Sequence, residues 1–210
     1  DGKSQDGSLK IINEYKDRIH HIVCEADNGM YEAINKGLRL ATGDIVGFLH
    51  SDDVFYSQDT ISRIVKEFEN RDIEYVYGNG LYVTFGMDQV VRDWVSGEFD
   101  KEKLKHGWLP LHTTVFVKRH IFDRVGYYNE KYKIASDSDW QVRCLYLNDT
   151  KVSYIDEYIV RMRMGGISTS FRLTMRKWRE DLQLFSEAGL NPYFSLTQVS
   201  CFCDFIFFHI

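Results

Sequence analysis

Apolar positions recur along this chain with two different periods. Leu9, Ile12, Tyr15 and Ile19 keep a three-to-four spacing after the turn signal Asp6-Gly7-Ser8, which predicts an amphipathic helix. His21-Ile22-Val23-Cys24 reads as a short strand, Asp27-Asn28-Gly29 as a turn, and residues 30–41 as a second helix that stops at Thr42-Gly43. The mostly apolar run Asp44-Ile45-Val46-Gly47-Phe48-Leu49 has the look of a buried strand and ends abruptly in His50-Ser51-Asp52-Asp53. A third helix, with Ile61, Ile64, Val65 and Phe68 inward, leads to a strand at 73–77. This alternation of helix and strand predicts part of a parallel α/β sheet over the first eighty or so residues.

Beyond Gly80 the pattern changes. Leu81-Tyr82-Val83-Thr84 and Gln89-Val90-Val91-Arg92 flank Gly86-Met87-Asp88 and predict an antiparallel hairpin. Residues 137–147 place Trp140, Cys144 and Leu147 on one helical face, and 152–155 and 159–162 read as two short strands. Phe171, Met175, Trp178, Leu182 and Phe185 step by 4, 3, 4 and 3, a strong helical stripe. No internal repeat or low-complexity stretch interrupts the chain. Residues 1–190 therefore read as one α/β domain and 191–210 as an aromatic, hydrophobic tail.

Composition narrows the function classes. With 210 residues, 44% hydrophobic and 27% charged, the chain has enough apolar residues for a core, which excludes disorder and collagen-like repeats. A net charge of −5 leaves no basic field for nucleic acid as a partner. Cys24, Cys144, Cys201 and Cys203 are scattered, and the C-x-C pair lacks the further ligands of a structural zinc site, so a reducing cytosol is the simplest compartment. Fifteen per cent aromatic residues fit an aromatic interior or a cleft for a flat ligand such as a base or a sugar.

The candidate chemistry gathers where a strand ends. Ligands of open α/β sheets bind at the carboxyl ends of strands, and Asp52-Asp53 stands at such an end. Adjacent carboxylates repel unless a cation or water compensates them, which favours Mg²⁺ or Mn²⁺. The same pair would also cap a helix beginning near Ser57. Asp137 and Asp139 suit the first turn of a helix through its dipole, and His112, just before a strand, fits a structural role as well as a catalytic one.

Several blocks, taken in order, resemble family 2 glycosyltransferases of GT-A fold, of the branch that makes bacterial cell-surface polysaccharides. They are residues 1–8 (DGKSQDGS), Asp27 to Gly37 (DNGMYEAINKG), Ala41 to Asp53 (ATGDIVGFLHSDD), Tyr77-Gly78-Asn79, His106 to His112 (HGWLPLH) and Met164 to Ser168 (MGGIS). The resemblance implies a Rossmann-like mixed sheet flanked by helices. It also implies a nucleotide-diphospho-sugar donor, UDP-type by the position of Asp1, with Mn²⁺ or Mg²⁺ at the metal motif and inverting transfer to a hydroxyl of a saccharide or lipid-linked acceptor.

By that resemblance Asp1 contacts the donor base, Asp52 is the metal ligand with His50 at the motif's first acidic position, and Asp53 orients a ligand or the sugar. Asp137, in Ile134-Ala135-Ser136-Asp137, is the general base, with Ser136 where many members carry Glu. His112 lies near the donor phosphates or acceptor, and Gly165, Gly166 and Ser168 belong to a loop over the donor, with Arg161 and Arg163 available to the diphosphate. Family members open with a further β-α-β unit, so the expectation is an N-terminally truncated copy. An inactive nucleotide-sugar-binding fragment is the alternative to an enzyme; a nucleotidyltransferase is disfavoured because no Gly-rich, basic phosphate loop is visible.

The end of the chain adds one expectation. Arg172, Arg176 and Arg179 form a stripe, and the aromatic tail is too short and too polar at Asp204 to span a bilayer, which takes ~20 apolar residues. Together they fit either peripheral contact with the inner face of the plasma membrane or a core-packing helix with solvated arginines.

Overall fold

The computed structural model describes residues 1–164 and 171–190. The expected glycine loop, Gly165, Gly166 and Ser168, and the tail at 191–210 lie outside the described residues. In chain order the elements are α1 (Ser8–Glu14), α2 (Met30–Leu40), β1 (Ile45–Gly47), β2 (Val54–Phe55), α3 (Thr60–Glu67), β3 (Tyr75–Val83), β4 (Val90–Trp94), α4 (Lys101–Lys105), β5 (Phe116–Lys118), α5 (Ile121–Val125), α6 (Ser136–Val142), β6 (Val152–Arg163) and α7 (Phe171–Glu187). Short 3₁₀ turns stand at Lys16–Arg18 and His112–Thr114, and a π-turn at Arg143–Leu147 extends α6.

The strands form one mixed sheet in the order β1-β5-β3-β6-β2, with β4 paired to the far end of β3. Among the described residues only β3 and β6 pair in parallel; every other pair is antiparallel. The parallel pairing expected within the first eighty residues is corrected here. β1 and β3 do point the same way, but β5 from later in the chain is inserted between them and runs against both. The hairpin expected around Gly86-Met87-Asp88 is present as β3 and β4.

Period-two alternation decides which core each strand feeds. Tyr75 and Tyr77 of β3 and Val117 of β5 face the main core with Leu38 of α2, Trp140 of α6 and Leu184 and Phe185 of α7. Their neighbours Val76 and Phe116 face the opposite side and meet Ile64 and Phe68 of α3. With apolar side chains on both faces, the central strands read as continuous hydrophobic runs.

Five readings need correction. His21 to Cys24 is not a strand among the described residues, where the Asp1 backbone nitrogen donates to the Val23 carbonyl (2.8 Å) and the Asp1 carbonyl accepts from the Glu25 N–H (3.1 Å). The stripe on α1 buries nothing, and Ile11, Tyr15 and Ile19 are exposed. In α3 the buried face is Thr60, Ile64 and Phe68, so Ile61 and Val65 are exposed. Among the described side chains of α7 the buried ones are Asp181, Leu184 and Phe185, while Trp178 and Leu182 are exposed; the face that meets α6 carries charges, which a hydropathy stripe cannot reveal. Leu147 is likewise exposed, since the π-turn rotates it off the face of Cys144.

The two short strands expected at 152–155 and 159–162 are one strand, β6, with a bulge. Tyr77 pairs with Tyr154 and Asn79 with Tyr158, so Ile155, Asp156 and Glu157 arch out opposite the single residue Gly78. A Cβ on Gly78 would lie 2.6 Å from Ile159 Cγ1, 2.9 Å from the Glu157 carbonyl oxygen and 3.0 Å from that of Ile155. Two of those obstacles are backbone and cannot swing away. Gly78→Ala is therefore expected to lower stability by about 1–3 kcal/mol. Gly37→Ala, on an exposed position inside α2 with nothing near its Cβ, should raise it by roughly 0.5–1 kcal/mol. Urea midpoints of the two variants, read against the parent, check both signs.

Candidate active site

The strand β1 delivers Phe48 and then the turn His50-Ser51-Asp52-Asp53, closed by the Asp53 N–H on the His50 carbonyl (3.1 Å). Asp52 and Asp53 are half-buried. Burial pushes the Asp53 carboxyl above its ordinary range and the neighbouring Asp52 charge adds to this, against the opposing pull of His50 and the Arg163 backbone N–H. Neither carboxylate caps a helix, because β2 follows directly and α3 begins at Thr60 with Asp59 as its cap residue. The capping alternative for this pair is removed.

From this turn an aromatic array leads across the site. Phe48 stacks on His112 (centroids 5.8 Å apart, 16° between planes), and the His50 ring lies 6.4 Å from the same imidazole. His112 is buried, and its Nε2 is 2.8 Å from the Tyr128 hydroxyl. Tyr128 in turn stacks on Tyr31 of α2 (5.8 Å, 17°). The Tyr31 hydroxyl donates to the Ile134 carbonyl (2.6 Å) and lies 3.1 Å from Asp137 Oδ1. Burial, and then the Asp137 charge, raise the Tyr31 pKa far above its usual value, so it stays a donor.

Helical geometry explains why α2 is the support for this array. Tyr31 and Asn35 are four residues apart and share a face. Asn35, buried, donates from Nδ2 to the Tyr128 carbonyl (2.9 Å) and to Glu130 Oε1 (2.8 Å), and its Oδ1 accepts the Tyr128 N–H (3.0 Å). One amide side chain thus meets both backbone groups of Tyr128 and fixes the ring that touches His112. The sequence carried Tyr31 and Asn35 inside its second block, but only the fold brings Tyr128 to them.

Asp137 is half-buried in the first turn of α6, and its competitors for local duties are occupied. Asp139 pairs with Arg143 (2.9 Å), and the helix has no side-chain cap of its own at Ala135. The place of Asp137 in that first turn also suits the helix dipole.

Asp1 belongs to a separate group. Its carboxylate accepts the Ser4 N–H (2.8 Å) and Ser4 hydroxyl (2.7 Å), and it borders a cleft of about 270 Å³ with His21, Val23, Lys36 and Gly37. Lys36 there is held by Asp27 (2.6 Å), Glu25 (2.8 Å) and Glu32 (3.1 Å), which raise its pKa. The helix α2 joins the two groups, presenting Tyr31 and Asn35 to one and Lys36 to the other. Arg161 and Arg163 each lie over an aromatic ring, Tyr56 (4.8 Å) and Phe85 (4.6 Å), and the buried Arg163 Nε has no hydrogen-bond partner.

The donor chemistry at Asp52-Asp53 fits a divalent cation in a limited way. Among the described residues no three His, Cys, Asp or Glu side chains gather as a metal cluster, so His50, Asp52 and Asp53 do not form a three-ligand set. Two carboxylates with open positions around them are nevertheless what Mg²⁺ or Mn²⁺ takes when substrate phosphate completes its shell.

Residues 1–130 match the family described as glycosyl transferase family 2. A PGL/p-HBAD biosynthesis glycosyltransferase of Mycobacterium tuberculosis is 32% identical over 178 residues, covering 81% of this chain and 66% of its own length. An uncharacterized glycosyltransferase of Methanocaldococcus jannaschii is 26% identical over 74% of this chain and 55% of its own. The chain thus spans less than two thirds of the length of these relatives. Among solved structures, S. aureus TarS 1-349 in complex with UDP-GlcNAc superposes with a TM-score of 0.65 at 16% identity, covering 94% of this chain and 58% of that one. Mannosyltransferase PcManGT from Pyrobaculum calidifontis, in complex with GDP-Man and Mn²⁺, gives 0.62 at 17% identity over 90% and 53%. At these identities the likeness shows the fold. No helix among the described residues is long and apolar enough to cross a membrane.

The burial of His112 has a consequence for stability. Desolvation lowers its pKa, His50 lowers it further, and Asp137 opposes them. The unfolded chain takes up a proton on this imidazole near pH 6.5 while the folded chain resists it, so stability is complete above about pH 6.5 and falls as pH drops below it. The urea midpoint is expected to decline from about pH 7.5 to about pH 5.5, and more gently in His112→Gln. Identical slopes for the two proteins would remove His112 as the source.

Proposed function

The chain belongs to glycosyl transferase family 2 and has the GT-A fold, and from that premise we propose that it is an inverting glycosyltransferase using a nucleotide-diphospho-sugar, UDP-type, with Asp137 as general base. The acceptor is a hydroxyl of a saccharide or lipid-linked acceptor, in keeping with the PGL/p-HBAD biosynthesis for which its mycobacterial relative is named. The observation that carries the reading is the position of His112. It is flanked by His50 on one side and by Tyr128 on the other, and it feels the charges of both His50 and Asp137. This adjacency supports reading the strand-end carboxylates and the proposed base as parts of one site.

The residues divide the work as follows. Asp52 would hold the cation, with His50 and Asp53 beside it, and Asp1 would meet the donor base from the cleft it shares with Lys36. A bound Mn²⁺ or Mg²⁺ supplies charge neutralisation for the departing diphosphate. Asp137 accepts the proton of the attacking acceptor hydroxyl on the face opposite the leaving group. The Tyr31 hydroxyl, bonded to the Ile134 carbonyl and 3.1 Å from Asp137 Oδ1, would help orient the carboxylate before substrate arrives. His112, kept neutral by burial, offers the site a polar contact without adding charge next to Asp137. Gly165, Gly166 and Ser168 are assigned to donor closure on sequence grounds.

Two measurements test this. UDP with Mn²⁺ should raise the melting temperature of the parent by several degrees and have a much smaller effect on Asp52→Asn. Asp137→Asn should keep that UDP response yet lose about 10²–10⁴-fold in transfer rate, the usual contribution of a general base. Undiminished turnover in Asp137→Asn would sink the assignment of the base, and no response to any nucleoside diphosphate would sink the donor site.

A further inference from the structure

The turn that carries Asp137 is held from a different part of the chain. In a capping box, the residue three places past the helix cap reaches back to the cap's own N–H. With Ala135 as the cap of α6 that residue is Ser138, whose side chain is too short to do so. Glu180 of α7 takes its place: Oε2 accepts the N–H groups of Ile134 (2.9 Å) and Ala135 (3.1 Å), and Oε1 accepts from Arg176 (2.8 Å). Lys177, on the same face of α7, donates to Asp181 (2.7 Å) and lies 3.4 Å from the hydroxyl of Ser138, the residue after Asp137. The Ile134 carbonyl meanwhile accepts the Tyr31 hydroxyl. The peptide ahead of Asp137 is thus gripped at its donors by α7 and at its acceptor by α2.

We infer that Glu180 is a positioning residue for the proposed base, setting the Ile134-Ala135 turn so that the Asp137 carboxylate is presented to the acceptor. This rests on the reading of Asp137 as base. Hydrogen bonds to an ionised acceptor are about twice as strong as neutral ones, so two on one oxygen hold the turn firmly. Burial pushes the Glu180 carboxyl up, but these N–H groups and Arg176 outweigh it and hold it below the usual range, which keeps Glu180 an acceptor at neutral pH. Without that acceptor the two N–H groups turn to water and the base loses its fixed direction. A displacement of about 1 Å at a reacting group costs up to about 100-fold in rate.

The test uses the full chain and follows UDP release from a UDP-sugar in the presence of acceptor. Glu180→Ala should lower kcat by about 10- to 100-fold while donor KM and the UDP-induced melting shift stay within about twofold. Glu180→Gln keeps an oxygen for both N–H groups and should recover kcat to within about threefold of the parent. Glu187→Ala is the structural control: Glu187 anchors the end of α7 to Lys131 (2.6 Å) and the Tyr132 hydroxyl (3.0 Å), so its loss should lower the melting temperature and leave kcat unchanged. If Glu180→Ala does not fold, Glu180→Asp replaces it, since it retains the charge and withdraws the oxygen by one methylene; its kcat should fall with donor KM unchanged. Parent-like kcat in Glu180→Ala or Glu180→Asp, or an equal loss in Glu187→Ala, overturns the inference. An active Asp137→Asn would overturn the reading of the base instead, so the two failures are distinct.

Discussion

The Asn35 side chain bonds the backbone N–H and carbonyl of Tyr128 at once, and the rest of the candidate site depends on that grip. It fixes the Tyr128 ring, which stacks on Tyr31 and meets His112 through its hydroxyl. Tyr31, one helical turn before Asn35, then reaches Ile134 and Asp137. A buried amide with three bonds satisfied at two ends is a demanding arrangement. Left unpaired in this setting, either backbone group of Tyr128 would cost about 1–3 kcal/mol, so a shifted Tyr128 is strongly disfavoured.

The sheet positions the two ends of this array. Inserting β5 between β1 and β3 places His112, which lies just before β5, beside Phe48 and His50, which lie just after β1. The antiparallel register of β1 and β5 requires this, since the end of one strand must meet the start of the other. On the far side of β3 the bulge in β6 opposite Gly78 lets a twelve-residue strand follow β3 along its whole length. The Arg163 backbone N–H thereby arrives at Asp53.

The charges follow the same logic of support from a distance. Asp139 is tied to Arg143, Glu180 accepts the N–H groups of Ile134 and Ala135 ahead of α6, and the Asp137 carboxylate lies 3.1 Å from the Tyr31 hydroxyl. An acidic residue in a first helical turn ordinarily serves the helix itself. At α6 the N–H of the cap residue Ala135 is met by Glu180 of α7 and not by a side chain of the helix's own first turn.

By itself the sequence determined the helices at Met30–Leu40 and Phe171–Glu187, the hairpin around Met87, the strand that ends at the paired carboxylates, and the family, because local periodicity, turn residues and ordered blocks are properties of neighbours along the chain. It also placed Asp52, Asp53, His112 and Asp137 among the candidates. Tertiary structure alone decided that β5 separates β1 from β3, that β6 is one bulged strand, and that the buried face of α7 includes charges. The same holds for the roles of Tyr128 and Glu180, which lie 93 and 45 to 46 residues from the groups they bind. Such contacts leave no periodic trace, since a hydrogen bond across a fold is set by where two elements pack and not by the spacing within either one.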